Sequence, residues 1–388
     1  MSTRLSPNLR TLLLGLSSIG VASGLAFAAS GSGASASAPA PARVSPVAEV
    51  APPEAPLPTE LPTWASSFPG DERVTDAQRD AIQNEARTLA KTLPAGSPLR
   101  AQLFARLTDA PRCGRAHAAA VAGTFSESSP AEIEGALASM KTSCDEVIVE
   151  AAGFSQAAEP TLVSALERLT AGHREEASRR AAWLAYGSLG ETARRTGKPE
   201  LASVIDGKLE KSLGVKSGDR ALLVKAVGNA GCASCMPLLA GDMRSSDVGL
   251  RSAAVAAHRF VDDKSGVQAM CGALAADKDD AVRDMAAWAL EWRGGEATER
   301  AACLERAARV DPSKRVRMQA TLALGVLADD AAPARAALER LADDERLDVS
   351  SLAGRSLEMR GMTPAPLLAA LEPAAGVGPT LLDTSAGD

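Results

Sequence analysis

Apolar residues in the second half of the chain recur with the spacing of one face of a helix. Val282, Met285, Ala286, Ala289 and Leu290 stand at positions i, i+3, i+4, i+7 and i+8. The same pattern returns at residues 250–258 and 349–357, and at 316–324 with one interruption. This spacing predicts amphipathic helices, because a half-buried strand would instead alternate with a period of two.

These helical segments form a repeat. Five of them, "DRALLVKAVG", "LRSAAVAAHRF", "VRDMAAWALEW", "VRMQATLALGV" and "VSSLAGRSLEM", align on Arg220, Arg251, Arg283, Arg317 and Ser350, at spacings of 31, 32, 34 and 33 residues. Second apolar segments follow the first four: "CMPLLAGDM", "GVQAMCGALAA", "ATERAACLERAA" and "APARAALERLA". One hairpin per repeat predicts an all-α fold, an α-solenoid of stacked helical hairpins. We place these repeats at residues 216–373, after a less regular helical-hairpin region at 71–215.

The recurrent Asp, Val-Arg pair and Ala-rich helix resemble HEAT-type repeats. Aspartates near the starts of the first helices are expected to accept the free backbone N–H groups there, at Asp247, Asp279 or Asp280, Asp311 and Asp348. In the HEAT family the recurrent Arg and Asp commonly connect neighbouring repeats. The resemblance therefore implies a ladder between repeats for Arg251, Arg283 and Arg317, which we expect at the solvent-screened surface. The alternative is a ligand-binding stripe of arginines.

A second resemblance covers residues 115–260. The segments "VAGTFSESSPAEIEGAL", "EPTLVSALERL", "AAWLAYGSLGETARRTG" and "LLVKAVGNAG" occur in an order similar to the α-helical domain of large lipid transfer proteins, the vitellogenin and microsomal triglyceride transfer protein family. The resemblance implies a helical arch, and lipid binding as a second function, although no strand-rich segment supplies that family's β-sheets. Gly187 lacks a Cβ and would let another helix approach closely, and Gly231 suits a left-handed turn.

The N-terminal region predicts export. Arg4 and Arg10 precede an apolar stretch, and a small-x-small site predicts a signal peptide, residues 1–28, cut after Ala28. An uncleaved anchor is the alternative. Residues 29–70 form an Ala/Pro-rich tether and residues 374–388 a flexible tail, because neither carries enough apolar residues to offset ordering. No later segment is apolar enough to span a membrane, and the Ala- and Arg-rich composition favours a bacterial periplasmic or secreted protein.

The net charge of the chain limits the classes of partner that it can bind. The formal net charge is −6, and removal of the leader with its two basic residues makes it more negative. A negative chain is a poor partner for nucleic acid or an anionic membrane surface. We expect a protein partner, with lipid as the alternative.

Six cysteines in an exported chain are most simply interpreted as disulfides. Cys232 and Cys235 form the strongest candidate pair, and we interpret them as a structural disulfide that staples a turn. The alternatives are a redox centre or half of a metal site. Cys113 with Cys144 ranks second. Cys271 with Cys303 ranks last, because stacked helices usually lie further apart than a disulfide spans, and both are alternatively small apolar core residues.

No motif for catalysis, cofactor or metal binding stands out. The three histidines, His117, His173 and His258, lack a recognisable acid or nucleophile partner at a motif spacing. Ser188 lacks the strand-turn-helix context of a nucleophile elbow. The helical aromatics are interpreted as core or groove lining: Trp183, Tyr186, Trp288 and Trp292. The sequence thus predicts an exported, non-enzymatic scaffold without a cofactor. Lipid transfer is the alternative, and an enzyme similar to the HEAT-like bilin lyases is a weaker one.

Overall fold

The computed structural model describes residues 58–66, 68, 74–111, 113–140, 144–172, 175–215, 219–261, 264–292, 295–329 and 331–359. The chain divides into two compact units, Met1–Leu61 and Pro62–Asp388, and only residues 58–61 of the first unit are described. The expected signal peptide with its cut after Ala28, most of the tether, the tail at 374–388 and His173 lie outside the described residues. The last repeat is described as far as residue 359.

The described residues form α-helices and short 3₁₀ segments, with no strand among them. After the short α1 (Thr63–Ser66), one row contains α2 (Asp76–Thr92), α4 (Arg115–Phe125), α6 (Asp145–Ala152), α8 (Glu176–Arg195), α10 (Arg220–Ala230), α11 (Val248–Ala256), α13 (Asp280–Glu291), α15 (Lys314–Leu327) and α17 (Leu347–Glu358). The other row contains α3 (Pro98–Thr108), α5 (Pro130–Ser139), α7 (Pro160–Gly172), α9 (Pro199–Gly214), α12 (Lys264–Ala276), α14 (Ala297–Val310) and α16 (Ala332–Ala342). We call these the first row and the second row.

The helices pack in series. Each first-row helix contacts the next one along the chain, from α2 through α17, and the second-row helices lie against them. The apolar residues that set the sequence repeat, such as Val282, Leu290 and Leu324, are fully buried between the rows. The prediction of an all-α solenoid of stacked hairpins is confirmed for the described part of the chain.

Local sequence explains where the helices begin. Ser129 and Glu132 form a reciprocal capping box at α5, and Asp247 and Asp279 accept backbone N–H groups at α11 and α13. Asp311 and Asp348 do not cap a helix as expected. Asp311 accepts the N–H of Ser313, the residue before α15, and Asp348 lies inside the first turn of α17.

Small residues allow the first row to pack closely. A Cβ at Gly187 of α8 would overlap the backbone carbonyl oxygen of Ala226 on α10, so the close approach expected from the sequence is confirmed. Gly231 ends α10 in the left-handed conformation, with φ of 64°. Both glycines therefore hold positions that a larger residue would strain.

One repeat departs from the predicted pattern. The segment "CMPLLAGDM", expected to be an α-helix, instead forms the 3₁₀ segments Ala233–Leu239 and Asp242–Arg244. Pro237 inside the first segment has no N–H to donate, which disfavours an α-helix there. As a result no second-row α-helix lies between α10 and α11 in the chain, and these two first-row helices contact each other.

The ordered helical unit begins earlier than the sequence indicated. Helix α1 lies within the predicted tether at 29–70, and Trp64 is only 9% exposed. Its Nε1–H donates to Glu85 Oε2 at 2.7 Å. The indole thereby attaches residues 63–66 to α2.

Candidate functional site

The structure joins the six cysteines in the three pairs that the sequence analysis proposed. Cys232 and Cys235 are joined with a Cα–Cα distance of 5.4 Å, at the start of the first 3₁₀ segment. Both residues are 0% exposed. Because thiol exchange needs access to a sulfur atom, this burial favours a staple over a redox centre.

The other two disulfides connect neighbouring hairpins. Cys113 and Cys144 have a Cα–Cα distance of 5.1 Å, and each lies just before a first-row helix. Cys271 on α12 and Cys303 on α14 lie 5.8 Å apart at Cα. The second row is therefore locally tight enough for the pair that was ranked last.

Arginines and aspartates connect successive repeats. In each case an Arg on a first-row helix bonds an Asp at or just before the start of the next repeat's first helix. The pairs are Arg251–Asp277, Arg283–Asp311 and Arg317–Asp348. We call this set the Arg–Asp ladder.

The middle rung shows how the ladder works. Arg283 donates from Nε and Nη2 to the two carboxylate oxygens of Asp311, at 2.7 and 3.0 Å. Its Nη1 donates to the Asp277 carbonyl oxygen at 2.9 Å, so one guanidinium reaches the carboxylate of one rung and the backbone of another. Asp311 also accepts the N–H of Ser313 at 2.8 Å. Each rung thus fixes the loop that begins the next repeat.

The ladder is largely withdrawn from solvent. Arg251 and Arg283 are buried, at 4% and 9% exposed, and the side chains of Arg317 and Asp348 are each 14% exposed. Burial by itself would raise the pKa of Asp277, but hydrogen bonds from Arg251 and from the Asp279 N–H outweigh it and leave that pKa below its usual value. The expected solvent-screened surface ladder is corrected on this point. Because Asp side chains take up these guanidinium groups, they do not form a free ligand-binding stripe.

The described histidines and Ser188 do not assemble a catalytic group. His117 is buried, its Nε2 lies 2.8 Å from the Leu107 carbonyl oxygen, and burial lowers its pKa. His258 is buried in the 3₁₀ segment Ala257–Phe260. Ser188 donates to the Leu184 carbonyl oxygen within its own helix, at 3.2 Å. No group of three or more His, Cys, Asp or Glu in the described ranges is placed to hold a metal ion.

The solvent side of the first row carries large apolar residues. On α15, Met318, Leu322 and Val326 are 37%, 43% and 45% exposed, and they follow one another at intervals of four residues. On the adjacent α13, Met285 and Trp288 are half-buried. α13 and α15 contact each other in the first row, and Trp288 corresponds to Leu322 when the repeats are aligned on Arg283 and Arg317, which places Trp288 next to the apolar residues of α15. We call this surface the first-row face.

The first-row face continues toward α10 through a polar and aromatic cluster. Arg259 places its guanidinium carbon 4.7 Å from the Phe260 ring centre and 5.4 Å from that of Trp288. Trp292 contacts both rings, with centre separations of 6.4 and 5.9 Å. Arg259 also donates to the side chain of Asn229 on α10. Sequence analysis identified the two tryptophans but not Arg259, because no motif in the chain marks that position.

Two glutamates on α6, in the same row further toward the N-terminus, have raised pKa values. Glu150 on α6 keeps partial contact with solvent, yet desolvation by the surrounding protein, with repulsion from Glu146, raises its pKa to about 7. Burial raises the pKa of Glu146 as well, against the attraction of Arg180. Trp183 and Tyr186 meet edge to face on the neighbouring α8.

Two shallow depressions lie elsewhere. One of about 450 Å³ lies between α3 and α5 and is lined by residues such as Phe104 and Ala136, and one of about 400 Å³ lies at the loops before α13 and α15. Both are open to solvent. None of the described helices combines the length and apolarity needed to cross a bilayer.

Comparison with known proteins agrees with this architecture. Residues 236–325 match the family model of HEAT repeats. Among solved structures, human deoxyhypusine hydroxylase in complex with glycerol is similar over 72% of this chain and 97% of its own, at 17% identity. The TM-score of 0.29 is too low to indicate a shared overall structure. No curated protein sequence matches the chain. Neither the family model nor the solved structure named above is a lipid transfer protein. Residues 236–325 are therefore similar to HEAT repeats, and the described part of the chain is an all-α solenoid.

Proposed function

We propose that this protein is an exported, non-enzymatic scaffold that binds a protein partner on the first-row face. The observation that carries the proposal is the apolar stripe Met318, Leu322 and Val326 beside Trp288. An exposed row of large apolar side chains on adjacent helices is typical of a binding surface, and Trp and Met are enriched in such surfaces. Solenoids use extended faces of this kind to bind other proteins.

Export is supported by the cysteines. Three disulfides persist in an oxidising compartment and are rare in the cytosol. Together with the leader sequence they support a periplasmic or secreted location after cleavage behind Ala28. N-terminal sequencing of the mature protein from its native host should begin at Ala29, and a chain still carrying its leader would contradict the cleavage.

A photo-crosslinking experiment tests the binding face. A photoreactive phenylalanine analogue is placed at Leu322, and at Val204 of the second row as a control, because both are exposed apolar helical positions. Irradiation in the native host should give a discrete protein adduct at position 322 that is absent at position 204. The adduct should disappear when Val326→Glu is added, because the charge would have to be buried in the interface.

The same experiment separates the alternatives. Lipid adducts at position 322, together with lipid that co-purifies and is removed by delipidation, would favour lipid binding, which the sequence resemblance supports. Equal labelling at positions 322 and 204, or no protein adduct at 322, would overturn the proposed protein partner. No observation on the described residues favours the third alternative, an enzyme similar to the HEAT-like lyases.

A further inference from the structure

Arg259 occupies an unusual place on the first-row face. It lies half-buried on the 3₁₀ segment Ala257–Phe260, between α10 and α13. Nη1 donates to the Ala256 carbonyl oxygen at 2.9 Å, and Nη2 donates to Asn229 Oδ1. A guanidinium carries five N–H donors, and the remaining three meet no acceptor among the described residues. The guanidinium can therefore still donate hydrogen bonds to a ligand.

No carboxylate in the described part of the chain neutralises Arg259. Arg251, Arg283 and Arg317 each bond an Asp, whereas both acceptors of Arg259 are neutral amide or carbonyl oxygens. Burial, with no opposing charge, lowers the pKa of the Arg259 guanidinium to about 10. A desolvated cation without an anion is costly, so an anion that binds there recovers free energy.

The surroundings restrict which anion fits. Phe260 and Trp288 lie against the guanidinium, which leaves its edge for hydrogen bonding and excludes water from its faces. The Trp292 Nε1–H is shielded from solvent and has no acceptor among the described residues. Trp288 corresponds to Leu322 in the repeat alignment, and its helix α13 contacts α15, so the apolar stripe of α15 lies next to this cluster. A ligand must therefore combine one negative charge with apolar groups beside it.

We propose that Arg259 recognises an Asp or Glu carboxylate of the partner segment that binds the first-row face, with apolar residues of that segment packing on the stripe of α15. This inference rests on the proposed function. A guanidinium edge matches a carboxylate in a two-point hydrogen bond, and such charge-assisted bonds strengthen where water is excluded. A chain of net charge −6 disfavours polyanions such as nucleic acid, but it accepts a single carboxylate among apolar residues.

A peptide selection tests the inference directly on the protein, whichever partner it binds in its host. The probe is a phage-displayed library of random dodecapeptides, panned against the full chain with its disulfides intact. The variants are Arg259→Gln and Arg259→Lys, and Arg340→Gln is the control. Arg340 is an exposed Arg of the second row that already bonds Glu305. Circular dichroism and melting temperatures show that each variant is folded, and Arg259→Lys keeps a positive charge if Arg259→Gln does not fold.

We expect the wild-type protein to select peptides that carry an Asp or Glu between apolar residues. Fluorescence polarisation with a synthetic selected peptide should show a loss of affinity of about tenfold to a hundredfold with Arg259→Gln, and less with Arg259→Lys. Changing the acid of the peptide to its amide should weaken binding to the wild type but hardly affect binding to Arg259→Gln. The control should bind like the wild type.

Other results overturn the proposal in distinguishable ways. If peptides bind in a manner that Leu322→Glu abolishes, but carry no enriched acid and tolerate Arg259→Gln, the role of Arg259 fails and the binding face stands. If changing the acid of the peptide to its amide weakens binding to the wild type and to Arg259→Gln equally, the carboxylate binds at another residue, and the assignment to Arg259 fails. If no selected peptide is sensitive to Leu322→Glu or to Arg259→Gln, the proposed function fails together with this inference.

Discussion

Removing the central arginine of the Arg–Asp ladder should destabilise the solenoid far more than removing an exposed arginine. In Arg283→Met the Asp311 carboxylate, whose side chain is 5% exposed, keeps only the N–H of Ser313 as a hydrogen-bond donor among the described residues. Breaking a buried ion pair by removing one partner costs about 3–5 kcal/mol, because the other charge stays buried. We expect a loss in this range.

The matched control is Arg340→Met. Arg340 also bonds a carboxylate, that of Glu305 at 2.6 Å, but its side chain is 54% exposed. Exposed pairs contribute about 0–1 kcal/mol, since water screens the charges. Glu305 also keeps Arg309 as a hydrogen-bonded partner after the change, so its charge stays compensated. The contrast between the two variants therefore measures the cost of a buried carboxylate left without an arginine.

A double-mutant cycle completes the test. Asp311→Asn removes the buried charge, so the variant Arg283→Met/Asp311→Asn should be less destabilised than the sum of the single variants, by about 2 kcal/mol or more. Urea unfolding of the oxidised protein, followed by circular dichroism, gives the free energies of unfolding. Because repeats can unfold separately, hydrogen exchange in α13 and α15 checks that the loss is local to this rung. A loss for Arg283→Met no larger than that for Arg340→Met would refute the ladder as a connection between repeats.

Three further changes have defined outcomes. Gly187→Ala should lower the free energy of unfolding by about 1–3 kcal/mol, because the added Cβ would overlap the backbone of α10. Gly207→Ala on α9 should raise it by about 0.5–1 kcal/mol, because the Cβ there enters open space and Ala favours a helix more than Gly does. Urea unfolding of both variants measures the difference. Replacing Cys271 and Cys303 together by Ser should cost about 3–4 kcal/mol for a bond that spans 32 residues, and an unchanged urea midpoint would show that the bond does not form. The raised pKa of Glu150 means that its ionisation costs stability as pH rises from about 4.5 to 7. Glu150→Gln should therefore raise the melting temperature at pH 8 and leave it unchanged at pH 4, and the opposite pattern would contradict the desolvation of this carboxyl.

The repeat could be predicted from sequence because it depends on local periodicity. A helix buries every third or fourth residue whichever neighbour it meets, so Val282 and Leu290 were identified as core from spacing alone. Cysteine pairing was only partly accessible from sequence. Cys271 and Cys303 were proposed as a pair but ranked last, because helices usually stack further apart than a disulfide spans, and the 5.8 Å between their Cα atoms is set by the tertiary packing.

The candidate site could not be predicted in the same way. On α15 the periodicity placed the buried face at residues 316–324, and the structure buries Val316, Ala320 and Leu324 there. It could not tell whether the apolar residues on the other side, such as Leu322, face solvent or a further element. The surface or buried character of the Arg–Asp ladder likewise depended on how tightly successive repeats pack.

The sequence by itself therefore determined the helices, their repeat and the all-α fold, because those follow from contacts between residues a few positions apart. Only the tertiary structure decided that Asp277 rather than Asp279 bonds Arg251, and that Arg259 meets Asn229 and Trp288 from two other helices. Such contacts join residues about 30 positions apart, and their geometry is set by the packing distance and angle between repeats. No local pattern in the chain encodes that distance and angle.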